Sequence, residues 1–182
     1  MQFADVSGDT YYYDPVSWTT SEGITTGTSE STFSPDSFCN RAQAVTFIWR
    51  AMGSQQPMLE QSNFVDISPD VYYYHAVLWA VEQGITTGTS AETFSPNIEV
   101  TRAQVVTLLW RATGGDAVVG ESPFDDVVPG AFYETAVNWA VENAITNGIF
   151  GHAVWKRCDL LKRSDCNISL PLLRWTEAIS AE

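Results

Sequence analysis

The sequence predicts a mainly α-helical protein built from tandem helix–loop–helix repeats. Three observations carry that expectation. A set of short motifs recurs at offsets of 60 and 61 residues. Apolar residues fall at helical spacing within each copy. Clusters of Gly, Thr, Ser and Pro separate those stretches, as loops require.

The recurrence is ordered. Phe3-Ala4-Asp5-Val6 returns as Phe64-Val65-Asp66-Ile67 and as Phe124-Asp125-Asp126-Val127. Fifteen residues after each Phe stands a tryptophan, Trp18, Trp79 and Trp139. Six residues further on begin Ile24-Thr25-Thr26-Gly27, Ile85-Thr86-Thr87-Gly88 and Ile145-Thr146-Asn147-Gly148. The first two copies continue together through Phe33-Ser34-Pro35 and Phe94-Ser95-Pro96, then Arg41-Ala42-Gln43 and Arg102-Ala103-Gln104, and close on Trp49-Arg50 and Trp110-Arg111. The third copy stops matching after Gly148. This divides the chain into repeat one (1–56), repeat two (57–118), the first half of repeat three (119–148) and a divergent tail (149–182).

Within repeat two, Ser68-Pro69-Asp70 precedes a stripe of Tyr73, Ala76, Val77, Ala80 and Val81, which predicts the first helix. Gly84 supplies its stop. Residues 84–97 read as a loop, and a second helix starts at Thr101, places Val105, Leu108 and Leu109 on its apolar face, and runs to about Ala112. Such a unit is too small to bury its own apolar face, so neighbouring units are expected to pack on one another. In repeat one Pro15 falls in the first helix and is tolerable only near its start. Asp5, Asp66 and Asp125-Asp126 lie in the turn before each first helix, where carboxylates commonly cap. Helical spacing favours packing for Trp18, Trp79 and Trp139. The tyrosines at 11–13 and 72–74 are alternatively faces on which a sugar could stack.

Thr101-Arg102-Ala103-Gln104 is a capping box, and Asn40 takes the cap position before Arg41-Ala42-Gln43. Local physics therefore accounts for Thr101, Asn40, Gln43 and Gln104. It does not account for Arg41 and Arg102, cations in a first helical turn where the macrodipole favours anions. A guanidinium at a helix N-terminus is competent to hold a carboxylate or phosphate. The alternative is an ion pair with an acid of a neighbouring repeat.

Composition narrows the partners. The 182 residues are 45% hydrophobic and 13% aromatic, enough for a packed core, and carry a net charge of −13. That acidity argues against nucleic acid and anionic membranes as broad electrostatic partners. No apolar run reaches transmembrane length, so membrane insertion is not expected, and no basic-then-apolar leader precedes the first motif. Three cysteines do not make a disulfide framework, His75 and His152 define no metal site, and no cofactor is expected. The acidic stretches do not match an EF-hand loop.

These motifs resemble the S-layer homology family: Phe-x-Asp-Val, a Tyr-rich helix ending in Trp, Ile-Thr-x-Gly, Phe-Ser-Pro, and Thr-Arg-Ala-Gln before an apolar helix, over residues 1–148. The resemblance implies a non-catalytic anchor of bacterial surface proteins, located at the cell wall and joined to a cargo domain. It implies three modules in a pseudo-threefold helical arrangement, holding an anionic secondary cell-wall polysaccharide, often one bearing pyruvate ketals. The family's binding arginine falls here on Arg41 and Arg102, with Thr101 and the loop glycines Gly27 and Gly88 as further candidates. Gln43 and Gln104 depart from the family's commoner glutamate, Asn40 from its threonine, and the third arginine motif is missing. Two other readings stay open: a structural or protein-interaction module without an occupied glycan site, and an accessory to a glycan-processing enzyme whose catalytic domain lies outside this chain.

The tail differs in kind. Residues 1–148 hold four arginines, no lysine and 18 acids, whereas 149–182 hold five basic residues and four acids. Cys158 and Cys166 also fall there. One synonymous coding of Lys162 through Pro171, AAG AGG TCA GAT TGT AAC ATT TCT CTA CCG, can be read one nucleotide later with the C that can open the codon of Leu172. It then encodes Arg-Gly-Gln-Ile-Val-Thr-Phe-Leu-Tyr-Arg, in register with Arg102 through Arg111, and Arg174-Trp175 can shift to Gly-Gly in register with Gly114-Gly115. The codons are chosen, so the reading is permissive. It leads to the hypothesis of a one-nucleotide frameshift between about Ile149 and Val154, with a genuine divergent segment as the alternative. Sequencing the DNA that encodes residues 140–182 tests it: the shifted frame should read as the missing helix, and any other reading ends the idea.

Overall fold

The computed structural model describes residues 3–146. They form five helices, α1 (Tyr13–Ser21), α2 (Arg41–Ala51), α3 (Tyr74–Glu82), α4 (Arg102–Ala112) and α5 (Glu134–Glu142). Among the described residues the extended backbone contributes one isolated antiparallel bridge, Asn40 with Glu99. The protein is mainly α and repetitive, as its sequence predicts. α1, α3 and α5 are equivalent first helices, and α2 and α4 are equivalent second helices. The tail at 149–182, expected to pack irregularly with Leu160-Leu161 and residues 168–173 collapsing onto the core, lies outside the described residues.

The two helix types start differently. α2 and α4 carry complete capping boxes: Gln43 N–H donates to Asn40 Oδ1 (2.9 Å) and Asn40 N–H to Gln43 Oε1 (2.9 Å). Gln104 N–H donates to Thr101 Oγ1 (3.3 Å) and Thr101 N–H to Gln104 Oε1 (2.9 Å). The first helices have no side-chain cap. The chain enters each through consecutive turns instead, with Val71 N–H donating to the Ser68 carbonyl and Tyr74 N–H to that of Val71 before α3. Pro15 is the third residue of α1, where no intrahelical N–H is needed.

All five helices end in the same way. At α3, Gly84 N–H donates to the Val81 carbonyl (3.0 Å) and Ile85 N–H to that of Ala80 (2.8 Å), which is a Schellman motif. The motif needs a left-handed residue just beyond the cap, and glycine supplies it after α1 to α4. After α5 that position is Ala144, at φ 54°, with Ile145 N–H donating to the Ala140 carbonyl (2.6 Å).

The chain divides into two compact units, Phe38–Gly115 and another formed by the segments before and after it. A sequence repeat and a packing unit are therefore different objects, because the boundary falls between the two helices of repeat one. Within Phe38–Gly115, α2 of repeat one packs against α3 and α4 of repeat two. Their core gathers Ala42, Val45 and Ile48, then Ala76, Val77 and Ala80, with Leu108, Phe64, Ile85 and Phe94. Repeat one thus hides its second helix in its neighbour, as units too small to fold alone must. In the other unit Phe3, Val6 and Val16 form one cluster, and Phe124, Val127 and Val137 another.

One sequence expectation is widened and another needs correction. Val105, Leu108 and Leu109 pack in or on the core as expected, but α4 also buries Arg102, Ala103, Val106 and Thr107. The helix is covered over a wider arc than one stripe, and Thr107 tolerates burial by donating its hydroxyl to the Ala103 carbonyl (2.7 Å). Asp5 and Asp66 do not cap the following helix. The Asp66 carboxylate accepts from Phe94 N–H (2.9 Å) and Ser95 N–H (2.7 Å), 28 and 29 residues away. Asp5 does the same for Phe33 N–H (2.9 Å) and Ser34 N–H (2.7 Å). Ser34 and Ser95 are both drawn into the left-handed region at φ 60°.

An added Cβ at Gly84 meets nothing within 4 Å, so substitution there costs only backbone conformation. Gly84→Ala should therefore destabilise the protein, and Ala144→Gly stabilise it, by about 1 kcal/mol each in denaturant unfolding. Asp66→Ala should cost about 1–2 kcal/mol and abolish amide-exchange protection at Phe94 and Ser95. In repeat one, the Phe33 N–H bond holds the Asp5 carboxyl below its usual 3.8. Protection at Phe33 should therefore persist above that pH and disappear as the pH falls through the lowered value.

Candidate functional site

Arg41 opens α2, but its helix offers an anion no spare main-chain donors at the start. Arg41 N–H donates to the Ile98 carbonyl (2.9 Å), Ala42 N–H to that of Pro96 (3.0 Å), and Gln43 N–H to the Asn40 cap. The main-chain donors expected to help Arg41 hold an anion are therefore already spent, and any anion at this place must be met by side chains. The bridge between Asn40 and Glu99 fixes this strand-like crossing, with Val100 N–H donating to the Cys39 carbonyl (3.1 Å).

The Arg41 side chain crosses into the loop of repeat two. Its Nε donates to the Phe94 carbonyl (2.9 Å), its Nη2 donates to Thr86 Oγ1 (2.6 Å), and its Cζ stands 4.9 Å from the centre of the Phe94 ring. The residue is 8% exposed. Two of its five N–H groups are committed and three remain. Among the described residues it forms no ion pair, so the expected alternative of a neighbouring acid is not realised at Arg41. Burial pulls its guanidinium below the ordinary arginine value, and the nearby charge of Arg111 adds to that. A guanidinium stays charged under such shifts.

The loop that receives Arg41 is tightly specified. Gly88 N–H donates to Thr86 Oγ1 (3.2 Å), so one hydroxyl serves both Gly88 and Arg41. Gly88 has φ +85°, and a Cβ there would lie 2.5 Å from the Thr93 carbonyl oxygen and 2.6 Å from the Phe64 ring. Gly27 repeats this geometry in repeat one, at φ +77° and against Phe3 and Thr32. Both glycines have a structural reason to be glycine. The structure joins Arg41 and Gly88 through Thr86, while Gly27 belongs to the corresponding loop in the other unit. Thr101 is exposed and spends its hydroxyl on the α4 cap, and Arg102 behind it is buried, at 1% exposure.

Three residues of this region carried no role in the sequence reading. Thr86 and Phe94 hold Arg41, and Arg111 Nη1 donates to the Ile85 carbonyl (3.1 Å), one residue from Thr86. The signal was present, since Thr25 and Thr146 match Thr86 and Arg50 matches Arg111. Other reactive groups are unpromising. Burial pushes the Cys39 thiol up to about 11, which disfavours the nucleophilic thiolate. His75 is exposed on α3, while His152 lies outside the described residues. Trp79 is buried at 3% exposure, in keeping with a packing role, and its indole N–H has no partner among the described residues.

Comparison with known proteins agrees with the motifs. The S-layer homology domain model matches residues 2–45 and 63–106. The chain is 28% identical over 180 residues to a surface-layer 125 kDa protein of Lysinibacillus sphaericus, covering 97% of this chain and 14% of that protein. It is 29% identical over 116 residues to a cell surface protein of Thermoanaerobacter kivui, covering 62% and 15%. It is 29% identical over 115 residues to an endoglucanase of Bacillus sp. (strain KSM-635), covering 60% and 11%. The chain thus spans a small fraction, 11–15%, of the length of these relatives. With its motifs, helical repeats and matched residues in agreement, the chain carries two tandem S-layer homology domains, at residues 2–45 and 63–106.

Proposed function

We propose that the chain is a non-catalytic module that anchors a larger protein at the bacterial cell surface by binding an anionic secondary cell-wall polysaccharide. The observation that carries this reading is Arg41. It is a nearly buried cation, fixed at two points, with three uncommitted N–H groups and no ion-pair partner among the described residues. In a protein of net charge −13, acids to neutralise it are abundant, yet none of the described residues does. An acid group of the glycan, such as a pyruvate ketal carboxylate, supplies the missing charge. Gly88 lets this loop pack closely on Phe64 and Thr93 and donates to the Thr86 hydroxyl that meets Arg41. Arg102, Thr101 and Gly27 are assigned the corresponding roles at the other repeat positions, as the family pattern implies.

The relatives named for the surface layer and the cell surface support the location, and the short shared length supports a module carried by proteins of different activity. Isolated sacculi of Lysinibacillus sphaericus are the direct test. The chain should sediment with them, and Arg41→Ala should weaken binding about tenfold, the worth of one charge-assisted hydrogen bond. Arg41→Ala combined with Arg102→Ala should abolish it. Circular dichroism must show both variants folded, since the two arginines are buried. Undiminished binding by the folded double variant overturns the assignment.

A further inference from the structure

We propose that Thr86 and Arg111 complete the site around Arg41, so that one carboxylate is held between two guanidinium groups and a threonine hydroxyl. The inference rests on the anchoring function proposed above and names the residues and acid group of that same site. The two guanidinium groups dock on consecutive residues of one loop, Arg111 Nη1 on the Ile85 carbonyl and Arg41 Nη2 on Thr86 Oγ1. The two cations come from different repeats, each at a helix end, α2 at its start and α4 in its last turn. Like charges brought this close repel, and the repulsion is felt at Arg41. Neither arginine has an ion-pair partner among the described residues. A shared anion removes the repulsion and satisfies both.

Thr86 adds a directed donor. Its oxygen accepts from Gly88 N–H (3.2 Å) and from Arg41 Nη2 (2.6 Å), which fills both acceptor positions of a hydroxyl. The hydroxyl hydrogen is therefore turned away from both, and no acceptor for it is found among the described residues. Thr86 is 3% exposed, so this hydrogen is a buried donor awaiting an acceptor beside the Arg41 guanidinium. The Phe94 ring under Arg41 and the carbonyl bond to Nε fix the guanidinium plane, leaving its outer edge pre-set for a planar acid. Arg111, by contrast, is exposed and can adjust to the ligand. A carboxylate has two oxygens and about four acceptor directions, which matches two guanidinium edges and one hydroxyl.

The test titrates the full chain and its variants against Lysinibacillus sphaericus sacculi, before and after methyl esterification of the sacculi. Arg111→Gln, which keeps a donor for the Ile85 carbonyl but removes the charge, should weaken binding about tenfold. Arg111→Lys should recover most of that loss. Thr86→Val should weaken binding by a similar factor and Thr86→Ser should restore it. Arg41→Ala with Arg111→Gln should fall short of the product of the single effects, because the two groups serve one ligand atom group. Esterified sacculi should bind weakly and no longer discriminate Arg111→Gln from the parent. Arg111→Gln binding like the parent while Arg41→Ala does not would overturn this inference and leave the anchoring reading standing. If Arg41→Ala also binds like the parent, the site itself is wrong. Full binding to esterified sacculi overturns the carboxylate.

Discussion

The grip of the Asp66 carboxylate on the backbone of Phe94 and Ser95 is the constraint on which the rest of the second repeat depends. It ties the turn before the first helix to the far side of the loop after it. With Ser95 drawn into a left-handed conformation, the Phe94 ring reaches the core at 0% exposure, against Phe64. Phe64 in turn lies where a side chain on Gly88 would have to go. The Phe94 carbonyl and ring then form the seat for Arg41. One carboxylate thus sets a loop, a core residue and the seat of Arg41. Asp5 holds Phe33 and Ser34 in the same way, which explains why Phe-x-Asp-Val and Phe-Ser-Pro recur together.

Helix ends distribute the work differently. The second helices start on complete capping boxes and the first helices on turns alone, while every helix stops on a Schellman motif. The start of α2 must be fixed accurately because it presents Arg41 to another repeat, and its donors are taken by Pro96 and Ile98 of that repeat. The cap sets the helix phase locally, and the crossing sets its position in the unit. A buried arginine placed this way loses little conformational freedom when it meets an acid group, which favours binding.

What was legible in the sequence was what is local. The capping boxes, the Gly84 stop, the position of Pro15 and the apolar face of α3 follow from residues within a few positions of one another. The roles of Asp5 and Asp66 were misread because their partners lie 28 and 29 residues away, while a carboxylate before a helix ordinarily reads as a cap. Arg41 stood out because its charge opposes the helix dipole, but its seat did not, since Thr86 and Phe94 are 45 and 53 residues distant. Arg111 sits in the last turn of a helix, where a cation is ordinary, so sequence gave no reason to single it out. The mainly α class was legible throughout, because periodicity within each copy and repetition between copies agreed.

The anionic glycan proposed as the ligand and a protein of net charge −13 repel at long range, so the proposed attraction cannot come from the overall field. At physiological ionic strength that repulsion is screened beyond about 8 Å, which leaves contacts made at hydrogen-bond distance to decide binding. Arg41 is built for that range. It is sheltered from water, held in plane by Phe94, and set beside a second guanidinium and a buried hydroxyl. Burial strengthens each bond it makes to an anion, because less solvent competes. On the proposed reading the acidic scaffold repels other polyanions through the same field, so only one presenting an acid group that fits between fixed donors gains enough locally to bind. Acidity and arginine placement therefore act together: the first sets the background against which the second selects.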